Sequence, residues 1–109
     1  MNKVKLLDCT LRDGGYYNNW DFDRDMVCSY LNALVDASID IAEIGFRSLP
    51  KKSFKGPYIY SQDDYIATLP IPKVLKMAVM INGKEYLRSN DNPKSLINSL
   101  FQPARISPI

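Results

Sequence analysis

The sequence contains no histidine, only two cysteines and no long apolar run. Cys9 and Cys28 have neither metal-ligand spacing nor the spacing of a redox motif, which predicts free thiols in a reducing compartment. The longest apolar stretch, residues 77–81, is far shorter than the roughly 20 residues that cross a bilayer. Charged residues also appear too early in the N-terminal segment for a signal peptide. We therefore expect a cytoplasmic protein without a membrane partner.

The charges are nearly balanced: the sequence has 14 Lys and Arg residues and 12 Asp and Glu residues, which gives a formal net charge of +2. This excess is too small, and its cations too scattered, to indicate a nucleic-acid partner. The one local basic cluster is Lys51, Lys52 and Lys55 in a loop. It is typical of a solvated loop, and contact with an anionic group of a substrate is the alternative.

Apolar stretches suited to strands occur at residues 4–9, 41–46 and 74–81, and the third is nearly all apolar, as in a parallel strand covered on both faces. Stretches with helical spacing lie between them. Strands that alternate with helices predict an α/β fold with parallel strands and right-handed crossovers.

Three helix starts carry recognisable signals. Asp23 is a suitable N-cap for a helix that follows it. The Ser-x-x-Asp pattern of Ser61 and Asp64 indicates a capping box. Asn92 followed by Pro93 gives the preferred order of a cap and a first-turn proline.

The end of the first strand concentrates polar residues. Asp8, Arg12 and Asp13 follow or end this apolar segment. Gly14 and Gly15 come next and would let the backbone turn sharply and approach a ligand closely. Ligands of parallel α/β sheets bind beyond the carboxyl ends of the strands, so these charges are aimed at a ligand. Asp-Gly and Gly-Gly are also ordinary turn residues, which leaves a purely structural interpretation open.

Two segments carry a family resemblance. Residues 8–14 resemble the first-strand signature of the DRE-TIM metallolyase superfamily and read Asp8-x-Thr10-x-Arg12-Asp13-Gly14. The continuation to residue 22 is most similar to the branch of the 4-hydroxy-2-oxovalerate aldolases. Residues 41–46, where Glu43 interrupts an apolar strand, are similar to the second-strand segment of the same superfamily.

The resemblance implies a TIM (β/α)₈ barrel. Such a barrel takes about 250 residues. The 109 residues here are therefore expected to form one partial domain, residues 1–109, that holds the N-terminal (βα)₃ portion and stops before the fourth strand. An unclosed sheet of this kind leaves bare edges, which predicts a homo-oligomer or a partner domain.

The resemblance also implies a divalent-metal-dependent carbon–carbon lyase, an aldolase acting on a 2-oxo acid. In that family Asp13 would bind Mn²⁺ or Mg²⁺, which prefer hard oxygen ligands. Arg12 would stabilise the enolate that forms when the carbon–carbon bond breaks. Glu43 would support the active-site network, and because a carboxylate inside an apolar strand needs a partner, we expect it to pair with Arg12 or Arg47.

Four further residues are candidates for substrate binding. Asp8 and Thr10 are predicted to share one face of the strand with Arg12, by the period of two. Asp8 is equally well interpreted as a cap at the strand end. Arg47 and Asn82 each lie just past a strand, where they would contact substrate or be solvated in a loop.

The sequence departs from the family in its lack of histidine. Members complete the metal site with two histidines near a later strand, and the aldolases carry a histidine base in the loop where this chain has Tyr16 and Tyr17. The base is therefore unassigned, and the 109-residue chain is expected to lack a complete catalytic site. A Claisen-type acyl-CoA condensing enzyme of the same superfamily and a non-catalytic binding or assembly module are the alternatives.

Overall fold

The computed structural model describes residues 4–101. Within that range three parallel strands form a single sheet in the order β1-β2-β3. They are β1 (Leu7–Asp8), β2 (Ile41–Phe46) and β3 (Lys76–Met80). The helices are α1 (Thr10–Gly14), α2 (Arg24–Asp36), α3 (Pro57–Tyr60), α4 (Asp63–Ile66), α5 (Gly83–Leu87) and α6 (Pro93–Leu100). A 3₁₀ turn, Gly15–Tyr17, follows α1. The predicted approach to a fourth strand lies outside the described residues.

The first strand is shorter than predicted. Before it, the Leu6 amide donates to a carboxylate oxygen of Asp40 at 2.8 Å. After it, the Asp8 carboxylate accepts hydrogen bonds from the Thr10 amide at 3.0 Å and the Thr10 hydroxyl at 3.1 Å. The chain therefore turns into α1 at Thr10, and the prediction that Thr10 and Arg12 lie on a strand face with Asp8 is wrong.

The predicted caps of the two longest helices are confirmed. Asp23 caps α2 by accepting from the Met26 amide at 3.0 Å. Asn92 caps α6 through its side-chain oxygen, with Pro93 in the first turn. The buried face of α2 is part of the hydrophobic core, together with side chains of the sheet. That core includes Val27, Leu31 and Leu34 of α2 with Ala42, Ile44 and Met77 of the strands.

The predicted capping box at Ser61 is wrong. Ser61 ends α3 with a positive φ of 39°, and its hydroxyl donates to the Tyr58 carbonyl at 2.8 Å. Gln62 precedes α4 without capping it through its side chain. α3 is a short helix in the segment after β2, where Pro50, Gly56 and Pro57 predict a long loop. Pro57 in its first turn favours the helix. α5 follows β3, and the Asn82 side chain caps it.

A β-bulge in β2 determines which side chains share a face of the sheet. Glu43 lies opposite Ala78, whereas Gly45 lies opposite Val79 and Phe46 opposite Met80, so the chain gains one residue between Glu43 and Gly45. Because of this extra residue, Glu43 and Phe46 lie on the same face, although an unbroken strand would place them on opposite faces. Gly45 is required here, since a Cβ atom would lie 1.9 Å from the Tyr58 carbonyl oxygen of α3.

None of the helices within residues 4–101 is long and apolar enough to cross a membrane.

Buried tyrosines should make the fold sensitive to alkaline pH. Burial, followed by the hydrogen bond to Tyr65, raises the pKa of Tyr58, and burial also raises the pKa of Tyr86. A tyrosine in the unfolded chain titrates near pH 10. The stabilisation linked to these groups is therefore complete below about pH 10. It is lost as the pH rises toward their folded-state pKa values, by at most about 1.4 kcal/mol per pH unit for each tyrosine.

The measurement is chemical denaturation between about pH 8 and pH 11.5. Tyr58→Phe should show a shallower alkaline loss of stability than the wild type. Tyr17→Phe is the matched control, because Tyr17 is 95% exposed and its removal should leave the slope unchanged. Equal slopes for Tyr58→Phe and the wild type would contradict this account.

Candidate active site

An ion pair between Arg12 and Glu43 forms the centre of the candidate site. The Arg12 Nε donates to Glu43 Oε1 at 2.5 Å, and the two side chains are 23% and 11% exposed. The hydrogen bond to Glu43 raises the pKa of Arg12, a side chain that is charged at neutral pH in any case. Of the two partners predicted for Glu43, the structure shows Arg12. α1 carries the arginine to β2 because the chain turns directly after Asp8.

Asp13 follows Arg12 on α1 and faces the solvent. Its side chain is 75% exposed, and its Oδ1 lies 4.0 Å from the Arg12 Nη1. Within residues 4–101 no group of three or more His, Cys, Asp or Glu side chains is placed to hold a metal ion. Asp13 offers an exposed carboxylate. Such a group fits one ligand position of Mg²⁺ or Mn²⁺, since these ions often bind few protein carboxylates and complete their shell with water and substrate oxygens.

Trp20 fixes this segment in place through one hydrogen bond and two ring contacts. Its indole Nε1 donates to the Arg12 carbonyl at 2.9 Å, and its ring meets those of Tyr16 and Phe46 edge-on, at 4.7 Å and 5.5 Å between centroids. The residue is 6% exposed. The ring thus connects the backbone of the Arg12 segment to the carboxyl end of β2.

The backbone at Trp20 is strained. Its φ of 57° lies in the left-handed region, which is unfavourable for a bulky side chain by about 1–3 kcal/mol. The two asparagines before it are the sequence signal that could have revealed the turn, because Asn tolerates this conformation. Asn19 also has a positive φ of 58°, and the Asn18 side chain accepts from the Trp20 amide at 3.2 Å.

The two glycines after Asp13 do not act as predicted. Both have helical φ angles, −68° at Gly14 and −62° at Gly15, so neither is needed for a sharp turn. A Cβ at Gly14 would meet no atom within 4 Å, whereas a Cβ at Gly15 would lie 1.9 Å from Trp20 Cδ1. Gly15 therefore makes room for the indole ring rather than for a ligand.

Asp8 and Thr10 bond to each other rather than to Arg12. The hydrogen bonds from the Thr10 amide and hydroxyl engage both carboxylate oxygens of Asp8. This geometry matches the interpretation of Asp8 as a cap at the strand end. A role for either residue in substrate binding stays a prediction.

Arg47 is a buried structural residue, and its interpretation as a solvated loop residue is wrong. Its side chain is 3% exposed, with Nη2 lying 2.7 Å from Asp63 Oδ1. Nε and Nη2 also donate to the Ser61 carbonyl at 3.1 Å and 2.5 Å, and the guanidinium carbon lies 4.5 Å from the centre of the Phe101 ring. These contacts engage its donors within the protein, and a role for Arg47 in substrate binding stays a prediction.

A pocket lies beside the aromatic rings of Tyr16, Trp20 and Phe46, past the carboxyl ends of β2 and β3. The Asn82 side chain lines it while accepting from the Lys84 amide at 3.2 Å. Lys51 pairs with Glu85 at 2.5 Å, and Lys55 donates to the Asn19 side chain at 2.9 Å. The basic loop is therefore organised around this pocket. The remaining lining residues are Tyr16, Trp20, Phe46, Ser48 and Ile59.

One solved structure matches this fold closely. It is the crystal structure of the "N-terminal domain of a putative aldolase" from Bacteroides vulgatus, with a TM-score of 0.76 and 39% sequence identity over 90% of this chain. The predicted α/β fold is confirmed. Its parallel strands and helices correspond to the N-terminal (βα)₃ portion of a barrel. This chain spans about a third of that structure's length, 31%. No family model and no curated protein matches the sequence.

Proposed function

We propose that this chain forms the N-terminal part of the active site of a divalent-metal-dependent carbon–carbon lyase, an aldolase that acts on a 2-oxo acid. The observation that carries the proposal is the Arg12 guanidinium, held by Glu43 at 2.5 Å beside the exposed carboxylate of Asp13. The pair lies near the carboxyl end of a parallel sheet, where ligands of such folds bind. The likeness to the N-terminal domain named as an aldolase supports the same reaction class.

Each of the three residues has a distinct task in this proposal. Asp13 would supply one oxygen ligand to Mn²⁺ or Mg²⁺, and the bound metal supplies Lewis acidity that polarises the carbonyl of the oxo acid. Arg12 would stabilise negative charge that develops on the substrate oxygen. Its hydrogen bond to Glu43 uses Nε, so the two Nη groups remain to face a ligand. Glu43 is a positioning residue that fixes the plane of the guanidinium.

The proposal requires further groups. The sequence has no imidazole, and within residues 4–101 no group of three or more His, Cys, Asp or Glu side chains could hold a metal ion. The family resemblance assigns the missing ligands to a pair of histidines and leaves the base unassigned. A reading frame that continues past residue 109 and encodes a His-x-His pair would therefore support the proposal.

The experiment is calorimetric titration of pyruvate, with and without Mn²⁺, into the complete polypeptide that carries this segment. The wild type should bind pyruvate only with Mn²⁺, and Asp13→Ala should weaken this binding at least about tenfold, since each ligand to the metal contributes substantially to its affinity. Asp36→Ala is the matched control because it removes an exposed carboxylate from the last turn of α2.

Two outcomes would contradict the proposal. One is equal Mn²⁺-dependent binding by the wild type and Asp13→Ala, and the other is the absence of binding by the wild type. Either result would favour a non-catalytic module that keeps the motif for structural reasons.

A further inference from the structure

A cleft beyond the carboxyl ends of β2 and β3 carries a concentration of positive charge. Lys51, Lys52, Lys84 and Arg88 line it together with a single carboxylate, that of Glu85, which gives the cleft a formal charge of +3. The whole chain has a formal net charge of only +2. The rest of the molecule is therefore slightly acidic, and the cations of the cleft are a local feature.

The one carboxylate in the cleft is already engaged. Glu85 accepts hydrogen bonds from the Leu49 amide and from Lys51 Nζ, the latter at 2.5 Å. None of the ion pairs formed within residues 4–101 includes Lys52, Lys84 or Arg88. Three cations thus face the cleft without a neutralising partner in the described part of the chain.

Two of the cations, Lys84 and Arg88, lie on α5 and at its C-terminal cap, and a buried tyrosine anchors this helix. Tyr86 of α5 is 2% exposed, and its hydroxyl donates to the Arg47 carbonyl at 2.6 Å. Lys84 and Arg88 are four residues apart, a spacing that brings side chains together on a helical surface. Two like charges at this spacing oppose helix formation, and a bound anion would relieve that repulsion.

We propose that this cleft is a binding site for the phosphate groups of a small-molecule ligand. Arg88 offers a planar fork of donors that matches phosphate oxygens, and the lysines add point charges. The cleft shares Lys51, Asn82 and Glu85 with the aromatic pocket beside Trp20. A ligand with its phosphate in the cleft can therefore extend toward the segment that carries Arg12. Phosphate binding itself does not depend on the proposed lyase chemistry.

The test is a titration of inorganic pyrophosphate into the 109-residue chain, at constant ionic strength and with EDTA present. The wild type should bind pyrophosphate, and the double variant Lys84→Gln/Arg88→Gln should bind it at least about tenfold more weakly because it loses two charge-assisted contacts. The control is Lys73→Gln/Lys94→Gln, which removes the same charge from exposed positions outside the cleft. The control should bind as the wild type does.

Three results would overturn the proposal. They are no pyrophosphate binding by the wild type, an equal loss of affinity in both double variants, and an unchanged affinity in Lys84→Gln/Arg88→Gln. Asp13→Ala should bind pyrophosphate normally, which separates this site from the metal site proposed above. A parallel titration with ADP distinguishes the type of ligand. If ADP binds more tightly than pyrophosphate, the ligand is a nucleotide, and if the two bind equally, it is a simpler phosphate ester.

Discussion

Asp63→Ala is expected to lower the free energy of unfolding by about 3 kcal/mol, because it leaves a buried guanidinium without its charge partner. Arg47 is 3% exposed, and Asp63, itself 13% exposed, lies 2.7 Å from it. After the substitution the Ser61 carbonyl would still accept from Arg47, but no anion would balance its charge. The contact joins the end of β2 to the start of α4, so its loss should loosen the junction between them.

Asp64→Ala is the matched control. Asp64 is the next residue of α4 and is exposed, so its removal should change stability by less than about 0.5 kcal/mol. Urea denaturation of both variants and the wild type at pH 7 measures the difference. Similar stabilities of the two variants would show that the Arg47–Asp63 pair does not hold this region together.

Gly15→Ala is expected to lower the free energy of unfolding by about 2 kcal/mol or more, since the added Cβ would overlap the buried indole. That atom would lie 1.9 Å from Trp20 Cδ1. The ring cannot move away without losing the hydrogen bond from its Nε1 to the Arg12 carbonyl and its edge contact with Phe46. The substitution should therefore disturb the Arg12 segment as well as the core.

Gly14→Ala provides the comparison, because a Cβ at Gly14 meets no atom within 4 Å. In a helical conformation alanine is favoured over glycine, so this variant should be as stable as the wild type or more stable by up to about 1 kcal/mol. Trp20 is the single tryptophan, and its fluorescence reports on the site directly. Gly15→Ala should shift the emission to longer wavelength, and an unshifted spectrum with unchanged stability would contradict this packing.

Local sequence signals predicted the regular elements well. Asp23 and Asn92 cap their helices as expected, because a cap depends on a side chain and on amides only two or three residues away. The alternation of apolar strands with helices gave the parallel sheet, since this pattern reflects burial on both faces. The ends of the elements were predicted less accurately. β1 is shorter than predicted because the Asp8 carboxylate accepts a hydrogen bond from the Thr10 amide.

The features that the sequence did not predict depend on contacts between distant segments. Arg47 follows a strand like a solvated loop residue, yet Asp63, Ser61 and Phe101 surround it. Ser61 has the pattern of a capping box, but it ends α3 instead, and its carbonyl accepts from Arg47 of a distant segment. Such features can be predicted only when it is known which segments contact each other in space. The spacing of residues along the chain does not give this information.

The sequence predicted which types of residue interact in the candidate site better than it predicted where they lie. The need of Glu43 for a cationic partner follows from burial of a carboxylate, and the structure shows that partner to be Arg12. The period of two placed Arg12 on a strand, whereas it lies on a helical turn that Trp20 holds in place. The roles of Asp8, Thr10 and Asn82 in substrate binding and of Asp13 in metal binding stay predictions.

The proposed active site depends on Glu43 holding the Arg12 guanidinium ready for the negative oxygen that would form on an oxo acid. Oxalate is a planar dianion that resembles the enolate of pyruvate, so it probes this interaction directly. Its affinity should be measured with Mn²⁺ on the complete polypeptide that carries this segment, for the wild type, Arg12→Lys and the control Arg24→Lys.

Arg12→Lys should weaken oxalate binding by about 100-fold, because lysine cannot hydrogen-bond to Glu43 and the anion with the same planar donors. Arg24→Lys makes the same chemical change at an arginine that bonds to Thr68 and should leave the affinity unchanged. Oxalate binding to Arg12→Lys as tight as binding to the wild type would contradict the account.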